Sequence, residues 1–411
     1  MRNKFFNLFL FLLFAGTAFA QPYVIDRSKY SFLPFEKNKL YLPETANAYP
    51  LFESLRKLML SGEEQVNIVH IGDSHIQADY FSGRLRELFQ TTFPGGNGGR
   101  GFVFPYTLAH TNNPVNYKVT YTGSWSGCRN VEYNRECLLG LAGISATTND
   151  DYSTFTISTV MQDLPYDYSR IRLYYDAPDG VYQVMLLQND LPLSPSIDSV
   201  NNIFEWNLLT SVTEVKFEIK RKASQTGAFT VLGVALETRD PGIVYHAIGV
   251  NGAEVRSFLR CSLFSKQLRT LNPSLIILSL GTNDAYTASF SSKDFEESYR
   301  KLIQDIKLHN PTALIMLTTP GDCYRYRKYP NPNNSTAGDV IHRLALEEKV
   351  AVWDFYTAMG GLGSIQKWYT HGLSAADRVH LTRPGYYLQA ELFYEAFLMA
   401  FDDYLDLPAK N

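Results

Sequence analysis

The stretch Ser274-Leu275-Ile276-Ile277-Leu278-Ser279-Leu280 constrains the fold more than any other. It is apolar, lacks the polar alternation of a half-exposed strand, and stops at Gly281. A strand of this kind is covered on both faces, as in a parallel sheet flanked by helices. The same rhythm recurs. Val66-Asn67-Ile68-Val69-His70-Ile71 ends at Gly72 and is followed by Phe81, Leu85, Leu88 and Phe89 at helical spacing. Further strand patterns fall at 243–248, 313–317 and 350–352, and helical ones at 49–60, 254–268, 292–309 and 341–348. An amphipathic pattern at 386–404 closes the chain. Five strands with intervening helices predict an α/β fold, a flavodoxin-like doubly wound parallel sheet. Sites in such sheets gather at the carboxyl ends of the strands.

Between 113 and 240 the texture changes to short β patterns broken by turn residues, at 117–122, 154–159, 170–176, 181–187, 212–219 and 229–237. This predicts a β-sandwich inserted into an α/β domain made of 49–112 and 241–407. The glycine-dense stretch Pro94-Gly95-Gly96-Asn97-Gly98-Gly99-Arg100-Gly101 reads as a loop ahead of it. Residues 1–20 have the form of a signal peptide: Arg2 and Lys4, an apolar run from Phe5 to Phe14, then Ala18-Phe19-Ala20. That run falls short of the roughly 20 residues a spanning helix needs. The expected destination is the periplasm or the exterior, without stable membrane insertion, after a polar extension over 21–48. The 38 Lys and Arg against 41 Asp and Glu are spread along the chain, so no basic footprint for nucleic acid is present. Aromatic residues make up 14%, a composition that suits either ring-bearing ligands or aromatic-rich β structure. In an oxidising compartment Cys128 and Cys137 could close a local loop, although with Cys261 and Cys323 three pairings are open.

Four stretches combine chemistry with position. Gly72-Asp73-Ser74-His75 follows the first strand, where a Ser can cap a helix or present its hydroxyl beside free backbone N–H groups. Gly249-Val250-Asn251-Gly252-Ala253 follows the 243–248 strand, either as an ordinary turn or as a backbone donor to a ligand. Gly281-Thr282-Asn283-Asp284 follows the most apolar strand, where Asn283 can cap a helix or offer its amide to an oxyanion. Asp377-Arg378-Val379-His380 precedes the final helix. At that spacing the carboxylate can orient the imidazole as a general base.

As a set, in this order, these residues resemble the SGNH (GDSL-type) hydrolases, whose markers are Ser, Gly, Asn and His. The resemblance covers 66–108 and 242–407. It implies Ser74 as nucleophile and Asp377 and His380 as its partners. The Ser74 N–H, Gly252 and Asn283 would form the oxyanion hole, with no metal or organic cofactor. His75 stands where the family name has Leu. The longer string to Gly83 and the inserted sandwich resemble the peptidoglycan O-acetylesterase branch, where a carbohydrate-binding-module-like sandwich occupies this place.

The resemblance implies an O-acetylated glycan as substrate and a serine esterase as activity. Two alternatives remain at this stage: a glycan O-acetyltransferase using the same residues, and a non-catalytic glycan-binding protein. His70, Asp73 and His75 as metal ligands, and His371 as the base, are weaker readings. His70 lies within a strand with no distant ligand pair, and His371 has no carboxylate at triad spacing. Asp73 is expected instead to shape the nucleophile turn by accepting backbone hydrogen bonds.

Overall fold

The computed structural model describes residues 25–43, 48–93, 95, 97–160 and 166–406, so the leader expected at 1–20 lies outside the described residues. The central sheet comprises β1 (Leu40–Tyr41), β2 (Gln65–Gly72), β3 (Gly242–Gly249), β4 (Leu275–Ser279), β5 (Leu314–Thr318) and β6 (Ala351–Trp353). Their spatial order is β1-β6-β5-β4-β2-β3. The five strands β2 to β6 are parallel, in the doubly wound order expected. A sixth, two-residue strand pairs antiparallel to β6; its Leu40-Tyr41 is too short to show any alternation in the sequence.

The apolar strands divide their side chains between two layers, as period two requires. Val66 and Ile68, Leu275 and Ile277, and Leu314 and Met316 enter one core with the helices Ala48–Ser61, Phe81–Thr92 and Arg383–Leu405. Val69 and Ile71, Ile276 and Leu278, and Ile315 and Leu317 enter the other, with Ser292–His309 and Asn333–Glu348. The last helix departs from the amphipathic expectation. Leu388, Ala390, Leu392, Phe393, Tyr394 and Ala396 are all buried, because the 25–43 segment and the first helix cover it as well as the sheet. The 254–268 helix is split into Val255–Leu259 and Phe264–Thr270. Among the described residues no helix is long and apolar enough to cross a membrane.

Two antiparallel sheets lie between the first and second halves of the α/β layer. One has five strands, running in space from Leu191–Leu193 to Tyr117–Thr122; the other has seven, centred on Tyr168–Asp176 and Phe229–Glu237. The strand Ile203–Val212 had no counterpart among the expected ones. The glycine-dense stretch is also not a simple loop: Gly99–Val103 is a strand paired to Phe229–Glu237, upstream of the expected boundary at 113. Its glycines are required by proximity. A Cβ on Gly99 would lie 2.6 Å from the Leu236 carbonyl oxygen, and one on Gly101 2.5 Å from that of Tyr245. Cys128 and Cys137 are disulfide-bonded, whereas Cys261 and Cys323 are buried thiols.

Candidate active site

The turn that carries Ser74, the expected nucleophile, begins where β2 ends. Asp73 caps a four-residue helix, Ser74–Gln77, and one of its carboxylate oxygens accepts the His75 backbone N–H at 3.0 Å. This matches the turn-shaping role expected of Asp73. The chain then breaks at Asp79, with φ of 53°, before the helix Phe81–Thr92.

The other three stretches converge on this turn. The Val250 N–H donates to the Gly72 carbonyl at 3.2 Å and the Asn251 N–H to the Gln77 side-chain oxygen at 2.7 Å. Gly249 lies flat against the turn, since a Cβ there would be 2.1 Å from the Gln77 nitrogen. The Asn283 amide donates to the second Asp73 oxygen and to the Ala253 carbonyl, each at 3.0 Å. Asp284 accepts the Val255 N–H; burial, with Glu254 and Asp73 nearby, raises its carboxyl to about 7.

The loop before the last helix supplies the imidazole. Ser74 Oγ and His380 Nε2 are 2.9 Å apart, and His380 Nδ1 lies 2.7 Å from Asp377 Oδ2. The other Asp377 oxygen accepts the backbone N–H groups of Val379 and His380, both at 3.0 Å. Burial raises the Asp377 carboxyl, but the His380 hydrogen bond and these two N–H donors outweigh it and hold it below the ordinary carboxylate range. An ionised Asp377 keeps the proton on Nδ1, which leaves Nε2 as the acceptor facing the serine hydroxyl. Thr382 caps the final helix by accepting the Gly385 N–H, fixing the loop's exit.

The expected oxyanion donors are placed unequally. Among the described residues the backbone N–H groups of Ser74 and Gly252 have no hydrogen-bond partner. Gly252 has φ of 81°, and nothing lies within 4 Å of where its Cβ would be, so its backbone faces open space. Asn283, in contrast, has two amide hydrogens and two acceptors already. In this state it braces the Ser74 turn against the Gly252 segment, and an oxyanion would have to share one of those hydrogens.

His75, the departure from the family's Leu, joins the two halves of the site. Its Nδ1 is 2.8 Å from the Asp73 carboxylate and its Nε2 3.2 Å from the Val379 carbonyl. Its ring stacks on His380 with centroids 5.1 Å apart. The sequence offers His75 only the weaker metal-ligand reading and not this bridging one, because Val379 is remote in the chain. His70 is a buried core histidine bonded to Tyr245 and Ser279, with burial lowering its pKa to about 3. His371 stacks on Phe32 and bonds the Lys367 carbonyl, outside the hydrogen-bonded chain that joins Ser74 to Asp377.

The model of the GDSL-like lipase/acylhydrolase family matches residues 218–388, a span that holds the Gly252, Asn283 and His380 stretches. The solved structure described as a peptidoglycan O-acetylesterase in action is 22% identical, with a TM-score of 0.69 over 89% of this chain and 99% of its own. More local overlaps are an acetyl xylan esterase, AlAXEase, and an acetylxylan esterase from Geobacillus stearothermophilus. Both are 20% identical, with TM-scores of 0.31 and 0.30; they cover 38% and 39% of this chain and 81% and 73% of their own. None of the curated proteins compared matches the chain. Residues 218–388 thus match the GDSL-like lipase/acylhydrolase family, and the chain as a whole shares the fold of the peptidoglycan O-acetylesterase structure.

Proposed function

We propose that the protein is an exported serine esterase that removes O-acetyl groups from a glycan. The observation that carries this reading is the hydrogen-bonded chain from Ser74 through His380 to Asp377. A binding protein has no use for a hydroxyl, an imidazole and an ionised carboxylate aligned for proton transfer. In the proposed reaction His380 Nε2 takes the proton of Ser74 Oγ as the oxygen attacks the acetyl carbonyl. The N–H groups of Ser74 and Gly252, with Asn283, receive the oxyanion. His380 then protonates the departing sugar hydroxyl, and water activated by the same imidazole releases acetate.

The exported location rests on the N-terminal sequence, and the glycan substrate on the family branch and the inserted β-sandwich. Ser74→Ala should abolish acetate release from p-nitrophenyl acetate with an unchanged circular dichroism spectrum. Residual activity near the wild-type level would remove Ser74 from the mechanism. A transferase would pass the acetyl group to an added oligosaccharide in preference to water, and product analysis in the same assay separates the two.

A further inference from the structure

Beside the triad loop a short hairpin, Tyr324–Arg325 paired with Tyr329–Pro330, turns through Tyr326 and Arg327. Both turn residues have left-handed backbones, with φ of 53° and 62°. Two successive left-handed residues suit Asn-Gly and not a bulky pair. Three contacts with the site hold the turn in this shape. The Tyr326 N–H donates to the Tyr286 hydroxyl, three residues beyond Asn283, at 3.1 Å. The Tyr324 N–H donates to the Arg378 carbonyl at 2.9 Å, and an Arg378 guanidinium nitrogen reaches the Arg327 carbonyl at 3.2 Å. The hairpin therefore bridges the Asn283 stretch and the Asp377–His380 loop, and strain held against a site points to use.

What it displays is cationic and aromatic. Tyr326 and Tyr329 are 67% and 61% exposed, and Arg327 and Lys328 are exposed beside them. Among the described residues none of Arg325, Arg327, Lys328 and Arg378 forms an ion pair, and Arg325 Nε is buried without a partner. Arg327 and Lys328 are thus exposed cations without an ion pair on a chain of net charge −3, and Arg378 beside them is held by Gln366 and the faces of Tyr324 and Tyr369. Guanidinium groups match carboxylates in shape as well as charge, and exposed tyrosine faces suit sugar rings.

We propose that this hairpin is a binding subsite for an acetylated glycan that carries carboxylates, an inference that rests on the esterase reading for its substrate. The carboxylate can belong to the sugar ring or to an attached peptide. Oligogalacturonate, a peptide-bearing disaccharide and neutral xylo-oligosaccharide, titrated calorimetrically into the full chain, distinguish these sources. The same comparison is made with Arg327→Glu/Lys328→Glu and, for kcat/KM, with acetylated forms of each. Because each ratio of anionic to neutral ligand is taken within one protein, any change in the triad cancels. The expected ratio is about tenfold for the wild type and near one for the double variant. The wild-type preference should also fall as NaCl rises from about 0.05 to 0.5 M, a readout that needs no variant to fold. Equal ratios in both proteins, or no wild-type preference, would overturn the proposal. A wild type that leaves p-nitrophenyl acetate intact would refute the esterase reading alone, since the titrations still decide the subsite.

Discussion

The His75 imidazole lies between two acceptors, the Asp73 carboxylate and the Val379 carbonyl. A neutral ring has one N–H and satisfies one of them, whereas the imidazolium donates to both. Burial opposes a charge there, yet the Asp73 carboxylate and its hydrogen bond outweigh burial, with Val379 and Asp377 adding to them, and the group is raised above the ordinary histidine value. Other titratable groups facing it are His380, stacked on its ring, and the Tyr386 ring, edge-on at 5.9 Å. A raised folded value contributes stability that is fully present below pH about 6.5 and lost as pH rises through that folded value. His75→Gln should therefore cost about 1.5–3 kcal/mol near pH 6, where charge-assisted bonds are lost. The Tm gap to wild type should narrow by pH 9. A gap constant with pH would show that His75 contributes as a neutral ring. The three side chains that meet here, Ser74, His380 and Asp377, could be picked out in the sequence because each stands at a strand end or before a helix cap. His75's partnership was not, since Val379 is 304 residues away and no local pattern encodes it.

Glycine carries two opposite messages among the elements of this fold. The sequence reads Pro94 to Gly101 as a loop, the usual meaning of clustered glycine, yet Gly99–Val103 is a strand pressed on the neighbouring backbone. Only the tertiary approach of Leu236 and Tyr245 shows this. Gly252 is the reverse case, a turn glycine expected beside the site and found there with a free N–H. Both Gly101 and Gly252 have positive φ, so a Cβ costs each about 1–2 kcal/mol in backbone strain. Gly252→Ala should cost little more, because nothing lies within 4 Å of the added carbon. Gly101→Ala must also displace the Tyr245 carbonyl, so urea denaturation should show a loss of roughly 3 kcal/mol or more. Equal losses would mean the strand yields without resistance. The 324–330 hairpin was illegible for a related reason: its turn uses Tyr326 and Arg327 where the recognisable signal would be glycine or asparagine.

On the scale of the whole molecule, composition and rhythm foretold a sheet of one kind interrupted by sheets of another, but not that they share a core. One buried cluster runs from Phe155 and Phe217 in the sandwich, through Phe102 and Val234, to Val69, Ile276 and Leu344 in the α/β layers. Polar ties cross the same boundary. Arg172 bonds the Thr270 carbonyl and the buried Glu237 carboxylate, and the Leu141 N–H donates to Gln267. Asp79 gathers Arg86, Arg100 and Asn116 into one buried ionic knot that joins the Ser74 segment to the entry of the sandwich. Removing either part would expose apolar surface and strand these charges, which is costly in a low-dielectric interior. The two parts should therefore unfold together. Differential scanning calorimetry is expected to give one endotherm with a calorimetric-to-van't Hoff enthalpy ratio of about 1. Two resolved endotherms, or a ratio well above 1, would show that the sandwich is an autonomous module. In that case the 324–330 hairpin, which belongs to the α/β part, would have to select substrate without it.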